Sequence, residues 1–283
     1  GYNLVANPYP SQIDFDALQL TNTEDVYYVF DPQTGNSSSW NRLTRVGTGG
    51  ANGVISSSQG FWLIAKNGGG SVKFTETAKV SDTDSPLFMD FEDRPEIALL
   101  LTSGFNQFTD EVKLIVSENA TKGLDPYDSE KLFFADDNAP KMYWFADNDE
   151  YKSVNALPVN EMNITGQLVL ETPKTGNYTL NVTRIANFDE YACVSLKDLL
   201  TNEVYDLKNE TQITVSVEAY TKTPRFELSM VMPIQLETAD VTCFGDSDAK
   251  VNFNVQSSED VMADLYKNTT FIKTVNLATE VQP

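Results

Sequence analysis

The sequence contains no histidine. That absence excludes Ser-His-Asp and Cys-His catalysis, since both need an imidazole that titrates near neutrality. It also excludes histidine-ligated zinc, and two cysteines are too few for a Cys-rich zinc site. Basic residues are scarce: 20 Lys and Arg against 41 Asp and Glu leave a formal charge of -21. A phosphate backbone needs clustered Lys and Arg, so nucleic acid is not an expected partner. An anionic membrane surface would repel such a chain, and no apolar run reaches the roughly 18 residues of a spanning helix. There is no P-loop, and no dinucleotide fingerprint follows a strand. Carboxylates are so numerous that no pair of them marks a glycosidase site. The expectation is a chain that is not an enzyme and holds no cofactor beyond a structural calcium ion.

What the sequence does have is strand signal. Hydrophobic residues make up 41% of the chain, enough to build cores. Val26–Phe30 and Gly60–Ala65 are short β-branched and aromatic runs bounded by turn residues. Gly68, Gly69 and Gly70 then precede Ser71–Phe74, which predicts a hairpin. Tyr178–Val182 and Arg225–Met230 alternate with period two, placing Phe226, Leu228 and Met230 on one buried face. Helix is nearly absent. One turn is expected near Ser11–Leu18, capped by Ser11 with Asp14 in the first turn. Short strands with turns between them predict an all-β chain of tandem β-sandwich modules, jelly-roll or Ig-like. Polar residues and a proline at Asp82–Pro86 and the Met232–Pro233 pair place the boundaries. The expected units are a sandwich over 1–84, a jelly-roll-like sandwich over 85–232, and an Ig-like unit over 233–283. The chain starts at Gly1 and stops at Pro283 without recognisable end signals, and is expected to be a piece of a longer polypeptide.

Three groups of residues are candidates for sites. Cys193 and Cys243 are either one disulfide, closing a loop of about 50 residues and worth roughly 3–4 kcal/mol, or two buried thiols. Asp147-Asn148-Asp149-Glu150 concentrates oxygen ligands in one turn, and Asp147 with Asp149 is the candidate calcium site. The alternative is a solvated acidic turn. Trp40, in a Ser-rich loop, is the candidate glycan contact, or an aromatic plugging the end of a sandwich. Tyr143-Trp144-Phe145, beside the Asp147 turn, is a further candidate for stacking on sugar rings, or a core strand, the reading its pattern favours.

Several stretches together resemble secreted Bacteroidetes proteins. Gly1–Pro10 with Ile13–Asp16 is similar to their "GWNLVGNPYPSPIDW" opening, and Gly60–Leu63 to the "GFFV" strand that follows. Tyr127–Leu132, Ser153–Pro158, Gly176–Leu180 and Cys193–Leu207 resemble their "YDAYKL", "SINALP", "GTYTL" and "CLYLEDL" segments. Asp240–Ala249 resembles the "VTCxGxxDG" start of repeats in gliding-motility adhesins of the SprB type, with Ala249 in place of the glycine. The resemblance implies cargo of the type 9 secretion system: large secreted or cell-surface proteins whose β-sandwich modules precede a C-terminal sorting domain. It implies an extracellular location. It implies as partners the secretion translocon, outer-membrane components and, outside the cell, glycans or other surface proteins. It supplies no catalytic residue.

Overall fold

The computed structural model describes residues 1–80, 94–146, 150–159, 163–191, 193–232, 235–239, 250–254, 262–267 and 269–276. The chain is all-β, and among the described residues two single 3-10 turns interrupt the strands. The first unit contains β1 (Tyr2–Ala6), β2 (Ile13–Asp14), β3 (Gln19–Thr21), β4 (Thr23–Asp31), β5 (Asn36–Asn41), β6 (Val46–Gly47), β7 (Val54–Ile55), β8 (Gly60–Ala65) and β9 (Ser71–Lys73). The second contains β10 (Glu96–Ser103), β11 (Asp110–Ser117), β12 (Ser129–Glu130), β13 (Lys141–Ala146), β14 (Glu150–Pro158) and β15 (Asn163–Glu171). It continues through β16 (Gly176–Ala186), β17 (Cys193–Asp198), β18 (Val204–Asp206), β19 (Gln212–Val217) and β20 (Pro224–Val231). Beyond it, β21 (Gln235–Ala239) pairs with β22 (Lys250–Asn254), and β23 (Met262–Lys267) with β24 (Thr270–Asn276). The 82–86 and 233–234 boundary positions lie outside the described residues.

In the first unit the five-stranded sheet runs β1-β8-β4-β5-β6. Its inner face packs Tyr27, Trp40, Phe61 and Leu63 against Phe15 and Ile55. The rings of Phe15, Tyr27 and Phe61 meet edge-on, as aromatic quadrupoles favour. Two local expectations need correction. The helical turn is Phe15–Ala17, and Asp14, not Ser11, caps it by accepting from Asp16 N at 2.9 Å. The 60–65 and 71–74 runs do not pair as a hairpin: β8 lies between β1 and β4, while β9 pairs with β3. The side chain of Asn22 donates to the carbonyls of Asn67 (3.0 Å) and Gly69 (2.6 Å), which carries the glycine turn away from β8.

The second unit is one 11-stranded sheet, ordered β18-β17-β20-β15-β13-β14-β11-β10-β16-β19, with β12 added on β14. Only β11 and β14 run parallel among its pairs. The sheet curls until alternate residues of almost every strand enclose a single core, including Leu99, Leu114, Trp144, Leu168, Leu180 and Leu228. Phe226, Leu228 and Met230 are fully buried, as their alternation predicts. Trp144 is buried too, and its indole N–H donates to Lys113 O at 2.8 Å, so the ring brings no unpaired donor into the core.

The two units meet along a polar seam. All six residues of β5 are buried, although five of them are Asn or Ser. Four side chains of β5 bond across the seam to the second unit. Asn36 Nδ2 donates to Thr109 O (3.0 Å) and Pro140 O (2.9 Å). Ser37 Oγ donates to Phe134 O at 2.7 Å, and Ser39 Oγ lies 3.0 Å from Ser153 Oγ. Asn41 Nδ2 donates to Pro126 O (2.9 Å) and Asp128 O (2.8 Å). Apolar contact flanks these bonds: Val46 packs with Ile115, Val154 and Ala156, and Tyr28 with Leu132. Leaving these buried amides and hydroxyls unpaired would be costly, so the bonds across the seam favour this relative placement of the units.

Candidate functional site: an aromatic cleft beside the seam

Four loops of the second unit cluster at one end and enclose a cleft of about 510 Å³. Its most exposed aromatic groups are Phe105, 46% exposed, and Tyr220, 71% exposed. The Phe105 ring and the Tyr220 backbone are both held by neighbours. Phe105 leans on Tyr178 with centroids 5.6 Å apart, and Lys174 Nζ lies 5.3 Å from the Phe105 centroid, within cation–π range. Gly176 lets the ring settle there, because a Cβ at that position would sit 2.4 Å from Phe105 Cζ. Tyr220 holds a left-handed backbone, φ 60°, that a non-glycine residue adopts only when its surroundings impose it. Its amide donates to Thr172 O at 2.8 Å, and the preceding Ala219 amide to Thr175 Oγ1 at 3.0 Å.

The opposite wall leads back to the seam. Asn106 Nδ2 donates to Asn138 O at 2.8 Å, closing the 104–109 loop on the 136–140 loop. Asp136 N donates to Gly35 O (2.7 Å) and Thr109 N to Thr34 O (3.1 Å), so both loops are anchored on the first unit. Gly35 has φ 70°, and a Cβ there would meet the Phe108 ring at 2.8 Å. A side chain at this position would therefore be strained twice and would push the wall of the cleft. Asp137 is the one carboxylate lining the cleft among the described residues.

A second, smaller pocket of about 210 Å³ lies on the seam. Most carboxylates around it have structural partners. Asp25 accepts from Arg42 Nε at 2.6 Å, and Asp125 accepts from the Thr121 and Tyr127 amides of its own loop. Asp128 takes the buried Lys152 ammonium at 2.9 Å and the Ala156 and Asp125 amides. Glu24 and Glu130 remain, one from each unit. Burial, and then the charge of Glu130, pushes the Glu24 carboxyl above its usual range. Tyr2 donates to Glu130 Oε2 at 3.1 Å, and burial together with Glu130 raises its phenol to about 12.

The residues singled out from sequence fall elsewhere. Trp40 is not in a loop: it lies in β5, is 8% exposed, and donates its indole N–H to Asp16 Oδ1 at 3.1 Å. With its ring in the first core and its donor engaged, it presents no face to a sugar. Burial pushes the Asp16 carboxyl up, partly offset by that indole bond. Tyr143 and Trp144 are core residues. Cys193 is exposed at the start of β17, while Cys243 lies outside the described residues, as do Asp147 and Asp149. Among the described residues no group of three or more His, Cys, Asp or Glu is placed to hold a metal ion, and no helix is long and apolar enough to cross a membrane. Sequence reasoning missed Phe105 and Tyr220. The available signal was weak: single aromatic residues in polar turns, Gly104-Phe105-Asn106 and Ala219-Tyr220-Thr221, where no neighbouring strand pattern requires them.

A family model defined as a domain of unknown function, DUF8693, matches residues 1–230. The chain belongs to the DUF8693 family. No curated protein and no solved structure matches it. The DUF8693 match ends with β20, so it takes in both units, the seam and every residue of the cleft described above.

Proposed function

We propose that this DUF8693 chain is a non-catalytic binding and display segment of a secreted or cell-surface protein, exported by the type 9 secretion system and serving as an adhesin, stalk or display module. The observation that carries the binding half of this reading is the cleft: two exposed rings, Phe105 and Tyr220, on its lining, with Asp137 beside short polar side chains. Hydrolysis of a glycosidic bond uses two carboxylates across the bond; among the described residues one, Asp137, lines the cleft. The export half rests on the resemblance carried by Gly1–Asp16, Ser153–Pro158 and Cys193–Leu207. The adhesin-like repeat start, Asp240–Ala249, lies outside the described residues. The surface of a chain with charge -21 stays solvated and resists self-association, which suits a displayed module. Its partners would be the translocon and outer-membrane components during export, and extracellular ligands afterwards. The exposed rings also favour a second reading, a carbohydrate-binding module of a secreted polysaccharide-degrading enzyme.

Protease treatment of intact producing cells tests the export reading. The expected result is cleavage of the chain on intact cells or its recovery from the medium, and its retention inside when the type 9 translocon is removed. Full protection in the cytoplasm of normal cells would overturn it.

A further inference from the structure

We infer that the cleft between Phe105 and Tyr220 binds a pyranose unit of a neutral oligosaccharide. This inference rests on the reading of the chain as a binding module and names the ligand class of that site. The ring faces come first. The apolar face of a pyranose carries polarised C–H groups, which the negative face of an aromatic ring attracts, while the sugar's hydroxyls radiate outward. Phe105 and Tyr220 stand on two separate loops of one rim; the Phe105 ring is held against Tyr178 and Lys174, and the Tyr220 backbone is held by Thr172, before any ligand arrives. That pre-organisation lowers the ordering cost of binding. Between and beyond the rings the cleft offers short polar side chains, Ser103, Asp137 and Asn138, which accept from or donate to hydroxyls.

Two observations narrow the class. A peptide that docks by adding a strand would have to pair its backbone with unpaired backbone groups. Here the loop amides are engaged in their own turns: Tyr220 N on Thr172 O, Phe105 N on Ser103 Oγ, Asn138 N on Asp136 Oδ1. What faces the cleft is ring and side chain. An acidic polysaccharide would meet Asp137 and the field of a chain with charge -21, with Lys174 already drawn over the Phe105 ring. A neutral glycan meets no such repulsion.

The test is isothermal titration of the full chain with neutral gluco-, manno- and xylo-oligosaccharides, and with uronate oligosaccharides for comparison. Binding of at least one neutral probe is expected, weakened about tenfold by Phe105→Ala and by Tyr220→Ala, as the loss of one aromatic contact implies. Tyr220→Phe should retain affinity, and Leu200→Ala, an exposed change on a different loop, should leave it unchanged. Both alanine variants remove exposed rings, and unchanged thermal unfolding will confirm that they fold. The inference is overturned if no neutral probe binds at millimolar concentration, if uronates bind more tightly, or if neither alanine variant weakens binding. Failure here with the chain still displayed on the cell surface removes only the ligand class. A chain confined to the cytoplasm removes the parent reading whatever the titration gives.

Discussion

Lys152→Ala is expected to destabilise the protein by about 3–5 kcal/mol, the usual effect of breaking a buried ion pair by removing one partner. Lys152 is fully buried, and its ammonium uses all three donors: Asp128 Oδ2 at 2.9 Å, Gly123 O at 2.8 Å and Asn155 Oδ1 at 3.1 Å. Removing it strands three acceptors in a site closed off by Asn41, whose side chain binds the Asp128 carbonyl from the first unit. The seam should loosen together with the second unit. Urea unfolding of Lys152→Ala beside the parent measures the loss. The double variant Lys152→Met with Asp128→Asn should recover part of it, because the uncompensated charge is gone. A loss below about 1 kcal/mol would mean that water reaches the pair and that the seam is not closed.

The second large effect is a gain of stability on mild acidification. Asp128 is pushed up to about 6 by burial, against the pull of Lys152 and of the Ala156 and Asp125 amides. Its folded value is above the unfolded 3.8. The folded state therefore binds the proton more tightly, and stability falls as pH rises through that window. From the unfolded value to about 6 the difference amounts to ~3 kcal/mol at one group. Asp110, buried against Lys131 (2.5 Å), is also raised, by burial first, as are Glu24 at the seam and Asp16 beneath Trp40. Asp198 works in the opposite sense. Burial alone would raise it, but the Arg225 fork at 2.8 and 2.9 Å and the Leu200 and Thr201 amides hold it below its usual range. Its contribution is present above the unfolded value and is lost only as pH falls below that. Unfolding free energy should therefore rise from pH 7 to about pH 5, still above the isoelectric point of 4.2. Urea titrations at a series of pH values check this, and a flat or falling profile over the same range would contradict it.

Much of the fold was legible in the sequence because its signals are local. The alternation of Tyr178–Val182 and Arg225–Met230 names the buried face directly, and the Tyr143-Trp144-Phe145 run is the core strand it resembles. The seam was not legible. Asn36-Ser37-Ser38-Ser39 has the composition of a loop, yet forms a buried strand because its partners lie 73 to 114 residues away. No local pattern reports an acceptor at that distance. Lys152 offered a hint, since period two places it on the same face as Val154 and Ala156, both buried. The cleft was hidden for a related reason. Four loops build it, and the left-handed turn at Tyr220 is imposed by Thr172, far away in sequence. Trp40 misled because an aromatic in polar text reads as exposed, while its ring in fact closes the first core.

The polar seam joins the described residues of the first and second units into one body that holds the cleft in place. Native-state hydrogen exchange tests it most directly. The amides of Thr109 and Asp136 donate across the seam to Thr34 and Gly35, and Leu114 lies in the core of the second unit. If the account is right, the seam amides exchange only through global opening, with the same opening free energy and the same denaturant dependence as Leu114. If they exchange through a separate, low-energy opening while Leu114 stays protected, the units part readily and the claim is contradicted.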